Sequence, residues 1–234
     1  MKHLLSNLDA VLFDLDGTLV ETNIDFPLMK RKMIRLAGHY GLSPSELAGL
    51  DILAIVERMA ECAGELQGDG AAEAARDEAF TALQQIELRH SAEAREIAPA
   101  RDVVEALRSR NIKVGIVTRN CRAASQEALT RAGIAADALV CREDVSQAKP
   151  SADHLLAALE LLGARPDRSL MVGDHLMDVA AGKAAGMRTI GLLTQGRPPD
   201  YFSPVHPDAV ACDLNEILRA LIHSHSQLEH EPAA

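Results

Sequence analysis

The fold expected for this chain follows from the stretch Ala10-Val11-Leu12-Phe13-Asp14-Leu15-Asp16-Gly17-Thr18-Leu19. It begins with an apolar run typical of a buried strand and ends at two carboxylates and a glycine. Side chains two positions apart on an extended chain point the same way, so Asp14 and Asp16 leave the strand toward one place. Mg²⁺, which takes carboxylate, water and phosphate ligands, would offset their repulsion. A local turn remains the alternative, because Asp and Gly favour turns.

Length and composition are those of a globular protein of one or two domains. The 234 residues can bury a sizeable core, and 47% apolar and 25% charged residues are ordinary values. The net charge of −10 argues against binding to nucleic acid. The four scattered cysteines form no CxxC pair and favour reduced thiols. Without a signal-peptide pattern or a membrane-length apolar run, we expect a cytoplasmic protein with no membrane partner.

The segment from 20 to 97 has helical patterning and little strand signal. Asp25 and Pro27 predict a helix start, and Ser43-Pro44 predicts a second helix whose apolar stripe extends to Met59. A polar break over 64–70 is then expected to precede one long helix over 71–95.

From Pro99 onward, helical segments alternate with short apolar strands, which predicts an α/β fold with a doubly wound parallel sheet. We therefore expect a Rossmann-like core of residues 1–19 and 98–223 with an inserted α-helical cap over 20–97. The tail over 224–234 is polar and is expected to be disordered rather than to bind metal through its histidines.

Ligands of open parallel sheets bind at the carboxyl ends of the strands, and further polar residues are expected there. Thr118 follows the predicted strand 112–117; a helix N-cap and a phosphate ligand are both open interpretations. Lys149 precedes a predicted helix, where a surface charge is the alternative. Asp174 follows the apolar strand 170–172, and Asp178 comes one helical turn later, where capping and a helix-dipole interaction are the alternatives.

The four elements occur in the order Asp14-x-Asp16, Thr118, Lys149, and Asp174 with Asp178. Together they resemble the motif set of the haloacid dehalogenase-like (HAD) hydrolase superfamily. The resemblance covers the whole expected core. The position and size of the helical segment resemble the cap of the phosphoglycolate phosphatase-like subfamily, so the cap is expected to set substrate selectivity.

The resemblance implies a two-step phosphoryl transfer. Asp14 would be the nucleophile that becomes an aspartyl phosphate, and Asp16 would protonate the leaving oxygen and then deprotonate the attacking water. Thr118 and the amide of Arg119 would bind the phosphoryl oxygens. Lys149 would offset charge between the nucleophile and the phosphate, contributing to catalysis and to substrate binding.

The resemblance also implies Mg²⁺ as the cofactor. Asp14 would bind it through the side chain, Asp16 through the backbone carbonyl, and Asp174 directly. Asp178 would be a ligand through water or would orient the others. His175 replaces a small polar residue of relatives, and we expect its side chain to face the pocket. Arg119-Asn120 replaces an asparagine-rich pair that is commoner in relatives, which leaves its contact with substrate open.

The expected function is a Mg²⁺-dependent phosphatase acting on a small phosphorylated metabolite, such as a phosphoglycolate-like, nucleotide or sugar phosphate. A β-phosphoglucomutase-like isomerase is the first alternative, because it shares the motifs. A catalytically idle binding protein on the same fold is the second. Dehalogenation is disfavoured, because relatives with that activity lack an aspartate at the position of Asp16. The expected assembly is a monomer or a homodimer.

Overall fold

The structure is a computed structural model that describes residues 1–194 and 196–225. Its strands and α-helices are, in chain order, β1 (Ala10–Phe13), β2 (Val20–Glu21), α1 (Phe26–Gly38), α2 (Pro44–Leu47), α3 (Ile52–Gln67), α4 (Asp69–Ser91), β3 (Arg95–Glu96), α5 (Ala100–Arg108), β4 (Lys113–Val117), α6 (Arg122–Ala132), β5 (Ala138–Val140), α7 (Asp153–Leu162), β6 (Ser169–Gly173), α8 (Leu176–Ala184), β7 (Arg188–Leu192), β8 (Ala209–Ala211) and α9 (Leu214–His225).

The strand β1 lies inside a parallel sheet with the strand order β5-β4-β1-β6-β7-β8. Ala10 lies opposite Lys113 of β4 on one side and Ser169 of β6 on the other. Every residue of β1 is buried, which explains its uninterrupted apolar sequence. The predicted doubly wound parallel sheet is therefore confirmed.

Helices cover both faces of this sheet. Val11 and Phe13 of β1 point to the face that packs against α5, α6 and α9. Ala10 and Leu12 point to the opposite face, which packs against α7 and α8. At Gly115 of β4, an added Cβ would lie 2.5 Å from Leu12 Cδ2, so the glycine allows that leucine to pack directly on the strand backbone.

The strands that follow β1 in the chain are added first on one side of it and then on the other. The connections from β1 lead first to β4 and β5 on one side, and the chain then crosses through α7 to β6 on the other side. This topology creates a switch point at the carboxyl end of β1, where ligands of open α/β sheets bind.

Residues Asn23–His90 form a compact unit of their own, and the described residues up to Thr22 and from Ser91 onward form the other. The helical unit packs α1, α3 and α4 around a core that includes Met29, Met33, Ile55, Met59 and Leu83. Asp25 caps α1 by accepting a hydrogen bond from Leu28 N at 2.8 Å, so the predicted helix start is confirmed.

The expected helix boundaries within this unit were partly wrong. α3 continues through Gly64 to Gln67, because Gly64 packs tightly against Ala72, where a Cβ would lie 3.2 Å away. The helix ends at Gly68, whose φ of 91° no other residue type adopts readily. The helix α4 therefore begins at Asp69 and ends at Ser91, not over 71–95.

The second predicted helix is divided, because Asp51 caps a new helix by accepting hydrogen bonds from Leu53 N and Ala54 N. The segment 20–97 also contains two short strands that the sequence pattern did not predict. Val20 pairs with Glu96 and Glu21 with Arg95 in an antiparallel ribbon of β2 and β3. Two residues per strand are too few to produce a detectable alternation.

At the C-terminus, α9 continues to His225, so the expected disordered tail begins too early; residues 226–234 lie outside the described part of the chain. His223 lies in α9, and its Nδ1 is 2.7 Å from Arg219 O, whereas His230 lies outside the described residues. Among the described residues, none of the helices combines the length and apolar character needed to span a membrane.

Candidate active site

Three carboxylates meet at the carboxyl ends of β1 and β6. One oxygen from each of Asp14, Asp174 and Asp178 lies within 4.8 Å of the other two. Asp14 continues the ladder beyond β1, because its N–H donates to Val172 O at 3.0 Å. Asp174 directly follows Gly173, and Asp178 lies in the first turn of α8. The structure thus brings together predicted site residues that are 160 positions apart in the sequence.

Lys149 joins two of these carboxylates. Its Nζ donates to Asp14 Oδ1 at 2.5 Å and to Asp178 Oδ1 at 2.7 Å, and its side chain is only 2% exposed. Burial alone lowers the pKa of Lys149, but the charges and hydrogen bonds of the two carboxylates outweigh burial and raise it. The ammonium therefore stays charged between its partners. The expectation that it is more than a surface lysine is consistent with this burial.

The pKa of Asp14 lies well above its usual range. Burial is the largest cause, Lys149 opposes it, and the charges of Asp178 and Asp174 add to it. Burial also raises the pKa of Asp174, with a further contribution from Asp178. The protein alone therefore leaves this group of carboxylates short of positive charge.

The surroundings of Asp174 form a closely fitted cradle. Thr18, which is fully buried, donates to Asp174 Oδ1 at 3.4 Å. A Cβ at Gly17 would lie 2.7 Å from Asp174 Oδ2, and the φ of +80° at Gly17 also favours glycine. An all-oxygen set with excess negative charge fits Mg²⁺ or a similar hard cation, and Asp14, Asp174 and Asp178 are the side chains that would hold it.

Asp16 has different partners from the three clustered carboxylates. Thr22 Oγ1 donates to its Oδ1 and Asn120 Nδ2 donates to its Oδ2. To act as an acid, Asp16 must carry a proton on one of these oxygens. The Thr22 hydroxyl can reverse its role and accept that proton's hydrogen bond, but the Asn120 amide nitrogen cannot. The two neighbours therefore favour protonation at Oδ1.

Thr118 lies at the end of β4, buried to 2% exposure. Its Oγ1 accepts from Asn120 N at 3.2 Å, while the N-cap of α6 is Cys121, so Thr118 does not cap that helix. Arg119 Nη1 contacts Met177 Sδ at 2.6 Å, and its carbonyl accepts from Arg142 Nη1 at 3.1 Å. The threonine and the Arg119 backbone are thus fixed in place by hydrogen bonds.

The model of the haloacid dehalogenase-like hydrolase family matches residues 11–192. The chain belongs to this family. It is 28% identical over 214 residues to the pyrophosphatase PpaX of Oceanobacillus iheyensis, covering 89% of this chain and 94% of that protein.

Solved structures also resemble this HAD-like hydrolase. A hydrolase from Pseudomonas syringae has a TM-score of 0.65 and 23% identity, covering 92% of this chain and 98% of that one. A β-phosphoglucomutase from Clostridium difficile has a TM-score of 0.60 and 16% identity, covering 96% of this chain and all of that one. At these identities the two structures support the fold alone.

In this HAD-like hydrolase, the His175 ring lies edge-on to Tyr201 with centroids 6.4 Å apart, and its orientation toward the pocket stays a prediction. The residue is exposed, and its Nδ1 accepts from Met177 N at 3.2 Å, while Asp178 Oδ2 accepts from His175 N at 2.9 Å. Together they cap the first turn of α8. A capping role accounts for a hydrogen-bonding side chain at this position.

His154 is a site-supporting residue that sequence reasoning missed. It is fully buried in α7, and its Nδ1 accepts from the backbone N–H of Lys149 at 3.1 Å. Burial is the main cause that lowers its pKa to about 4, and Lys149 adds to it. A histidine five residues after a lysine across a loop–helix junction carries no signal that could have identified it.

Sequence reasoning also missed Thr22, Asn120 and Arg197, because no sequence signal marks them as site residues. Each contacts a predicted site aspartate through its side chain, but none lies at a position that the motifs mark. Asn120 was noted only as part of a departure from relatives.

Proposed function

We propose that this HAD-like hydrolase is a Mg²⁺-dependent phosphatase that hydrolyses a small phosphomonoester through an aspartyl phosphate. The observation that carries the proposal is the buried bridge of Lys149 between Asp14 and Asp178, beside a third carboxylate. This arrangement concentrates one nucleophile, one fixed cation and an oxygen-rich cation site at the switch point of the sheet.

In the first step, an Asp14 oxygen attacks phosphorus and the bond from phosphorus to the leaving oxygen breaks. Asp16, protonated, gives its proton to that oxygen. In the second step, Asp16 takes a proton from water as the water oxygen attacks the phosphorus, which releases phosphate and restores Asp14. Lys149 neutralises charge at Asp14, and Thr118 with the Arg119 amide binds the phosphoryl oxygens. Mg²⁺ would supply further neutralisation of the phosphoryl oxygens.

Division of labour along the chain is part of the proposal. Residues 1–19 and 98–223 would form the catalytic core and 20–97 a cap, and the separate compactness of Asn23–His90 supports this division. Phosphoglycolate remains the first substrate to test. Inorganic pyrophosphate is the second, because the curated relatives are named pyrophosphatases.

The first experiment measures phosphate release by the purified chain. The panel contains 2-phosphoglycolate, pyrophosphate, a sugar phosphate, a nucleoside monophosphate and an aryl phosphate, each with Mg²⁺ and then with EDTA. We expect release that requires the cation and falls at least about a hundredfold in Asp14→Asn, given what an activated nucleophile contributes. Greater residual activity in this variant would exclude the covalent route.

A second experiment distinguishes the acid–base role of Asp16. Asp16→Ala should lose more activity toward an alkyl phosphate than toward an aryl phosphate, because the poorer leaving group needs the proton. Equal losses would contradict the role. Conversion of β-glucose 1-phosphate to glucose 6-phosphate without phosphate release would favour the isomerase instead, and substrate binding without turnover would favour the idle binding protein.

A further inference from the structure

Arg197 contacts the site from the loop that follows β7. Its Nη2 lies 3.2 Å from Asp174 Oδ2, and its side chain is 29% exposed, compared with 2% for Lys149. It belongs to none of the sequence motifs. Arg197 is therefore a partly exposed cation in contact with Asp174, and Asp174 lies close to the proposed nucleophile Asp14.

Packing within the loop holds this guanidinium in place. Phe202 is buried against β7, where a Cβ at Gly191 would lie 2.7 Å from its ring. The ring of Tyr201 packs edge-on against Phe202, with centroids 4.9 Å apart. The Arg197 guanidinium stacks on Tyr201, with its Cζ 4.1 Å from the ring centroid. An arginine fixed by stacking and by a carboxylate loses little entropy when it binds an anion.

We propose that Arg197 selects substrates whose leaving group carries a second anion, either a carboxylate or a second phosphate. This inference rests on the proposed phosphatase function. A planar guanidinium can bind either oxyanion through two parallel hydrogen bonds. When a cation shares the charge of Asp174, the ion pair with Arg197 weakens and the guanidinium gains more from a second anionic partner.

The competing explanation is that Arg197 only orients Asp174. In that case its loss would lower activity toward all monoesters by one factor, because every substrate uses the same phosphoryl site. If Arg197 binds the leaving group, the loss must depend on the charge of that group. The ratio between two substrates of similar size therefore separates the two roles.

The experiment compares 2-phosphoglycolate with 2-hydroxyethyl phosphate, which is similar in size but has a neutral leaving group. We expect Arg197→Gln to lower kcat/KM for phosphoglycolate at least about tenfold more than for the neutral ester, mainly through KM, since a charge-assisted hydrogen bond is lost. Arg197→Lys should restore part of the ratio, because it keeps the charge without the planar fork.

Three further variants test the packing argument. Tyr201→Phe keeps the ring and should keep the wild-type ratio, whereas Tyr201→Ala should shift the ratio in the same direction as Arg197→Gln. Arg165→Gln is the charge-matched control, because Arg165 is 68% exposed and pairs with Asp167 before β6. Its ratio should equal that of the wild type.

A binding measurement keeps the inference separate from the proposed function. Calorimetric binding of phosphoglycolate and hydroxyethyl phosphate is measured in Asp14→Asn with and without Arg197→Gln, after circular dichroism confirms folding. If Arg197→Gln weakens the binding of phosphoglycolate but not of hydroxyethyl phosphate, the inference is supported. This holds even if the wild-type chain turns over neither ester, although that absence of turnover would contradict the phosphatase function. An unchanged ratio, or no binding of either ester, overturns the inference.

Discussion

The two cations beside the site carboxylates differ in burial. Lys149 is 2% exposed and bridges Asp14 and Asp178, which are 14% and 2% exposed. Arg197 is 29% exposed, and within the described part of the chain its ion pair is with Asp174. Asp174 is itself only 11% exposed, so the difference lies in the cations: water reaches the Arg197 guanidinium but hardly reaches the Lys149 ammonium.

This difference separates what the fold requires from what substrate selection can change. Removing Lys149 leaves buried carboxylates without compensation, so fold and chemistry should fail together. Removing Arg197 should let water take its place at Asp174 and should leave the Lys149 bridge unchanged.

Lys149→Met should lower the free energy of unfolding by about 3–5 kcal/mol, the usual cost of breaking a buried ion pair on one side, and should abolish phosphate release. Urea denaturation measures the stability. The double variant with Asp178→Asn should recover part of the stability, because it removes one uncompensated charge, but none of the activity. A loss of under about 1 kcal/mol for the single variant would contradict a buried bridge, because only solvent-exposed ion pairs are worth so little.

Gly173→Ala should destabilise by about 1–3 kcal/mol, because its Cβ would lie 2.3 Å from Asp178 Cγ and would displace the side chain that pairs with Lys149. Activity should fall with stability. Gly49→Ala is the matched control, since a Cβ there meets no atom within 4 Å. Equal stability of the two variants, measured in urea, would contradict close packing on the buried side.

His154→Phe should cost about 1–3 kcal/mol at pH 7, because the buried Lys149 N–H loses its acceptor. The pKa of His154 is lowered from 6.5 to about 4, so between those values the unfolded chain binds a proton that the folded chain does not. The wild-type protein therefore loses stability at this histidine as pH falls from 6.5 to about 4. The phenylalanine variant has no such loss, because phenylalanine does not bind a proton.

The difference in unfolding free energy between wild type and His154→Phe should consequently be smaller at pH 5 than at pH 7. His154→Asn is the control, because its Oδ1 can accept from Lys149 N without titrating in this range. A difference that stays constant with pH would mean that His154 does not stay neutral in the folded protein.

Arg197→Gln should change the free energy of unfolding by less than about 1 kcal/mol, because the ion pair with Asp174 is partly screened by solvent. Its effect should appear in substrate ratios instead. Denaturation of this variant beside Lys149→Met provides the direct comparison of the two cations. A stability loss as large as that of Lys149→Met would remove the contrast between them.

Spacing and chain order were sufficient to predict that Asp14 and Asp174 lie close together. Asp14 and Asp174 follow apolar strands, and parallel strands carry their carboxyl ends to one edge, so their convergence could be expected before any coordinates. The side chain of Asp16 was predicted beside Asp14, but it bonds to Thr22 and Asn120 instead of joining the carboxylate cluster. That difference depends on neighbours from other parts of the chain.

Local boundaries were less predictable. Gly64 was expected to break a helix, but packing against Ala72 makes the absence of a side chain useful inside α3. The ribbon of Val20–Glu21 with Arg95–Glu96 pairs segments far apart in sequence, and neither segment alone shows a strand pattern. Propensity is a weak guide wherever tertiary contacts determine the outcome.

The parallel sheet, the order of the motifs and the family can be read from the sequence, because apolar runs, turn residues and motifs are local features of the chain. Which charges are buried and which remain accessible depends on tertiary contacts. Lys149 and Arg197 are both basic residues in loops, and nothing in their own sequence contexts measures solvent access. Burial depends on α7, α8 and the Tyr201–Phe202 packing around them, and burial sets the strength of a charge interaction.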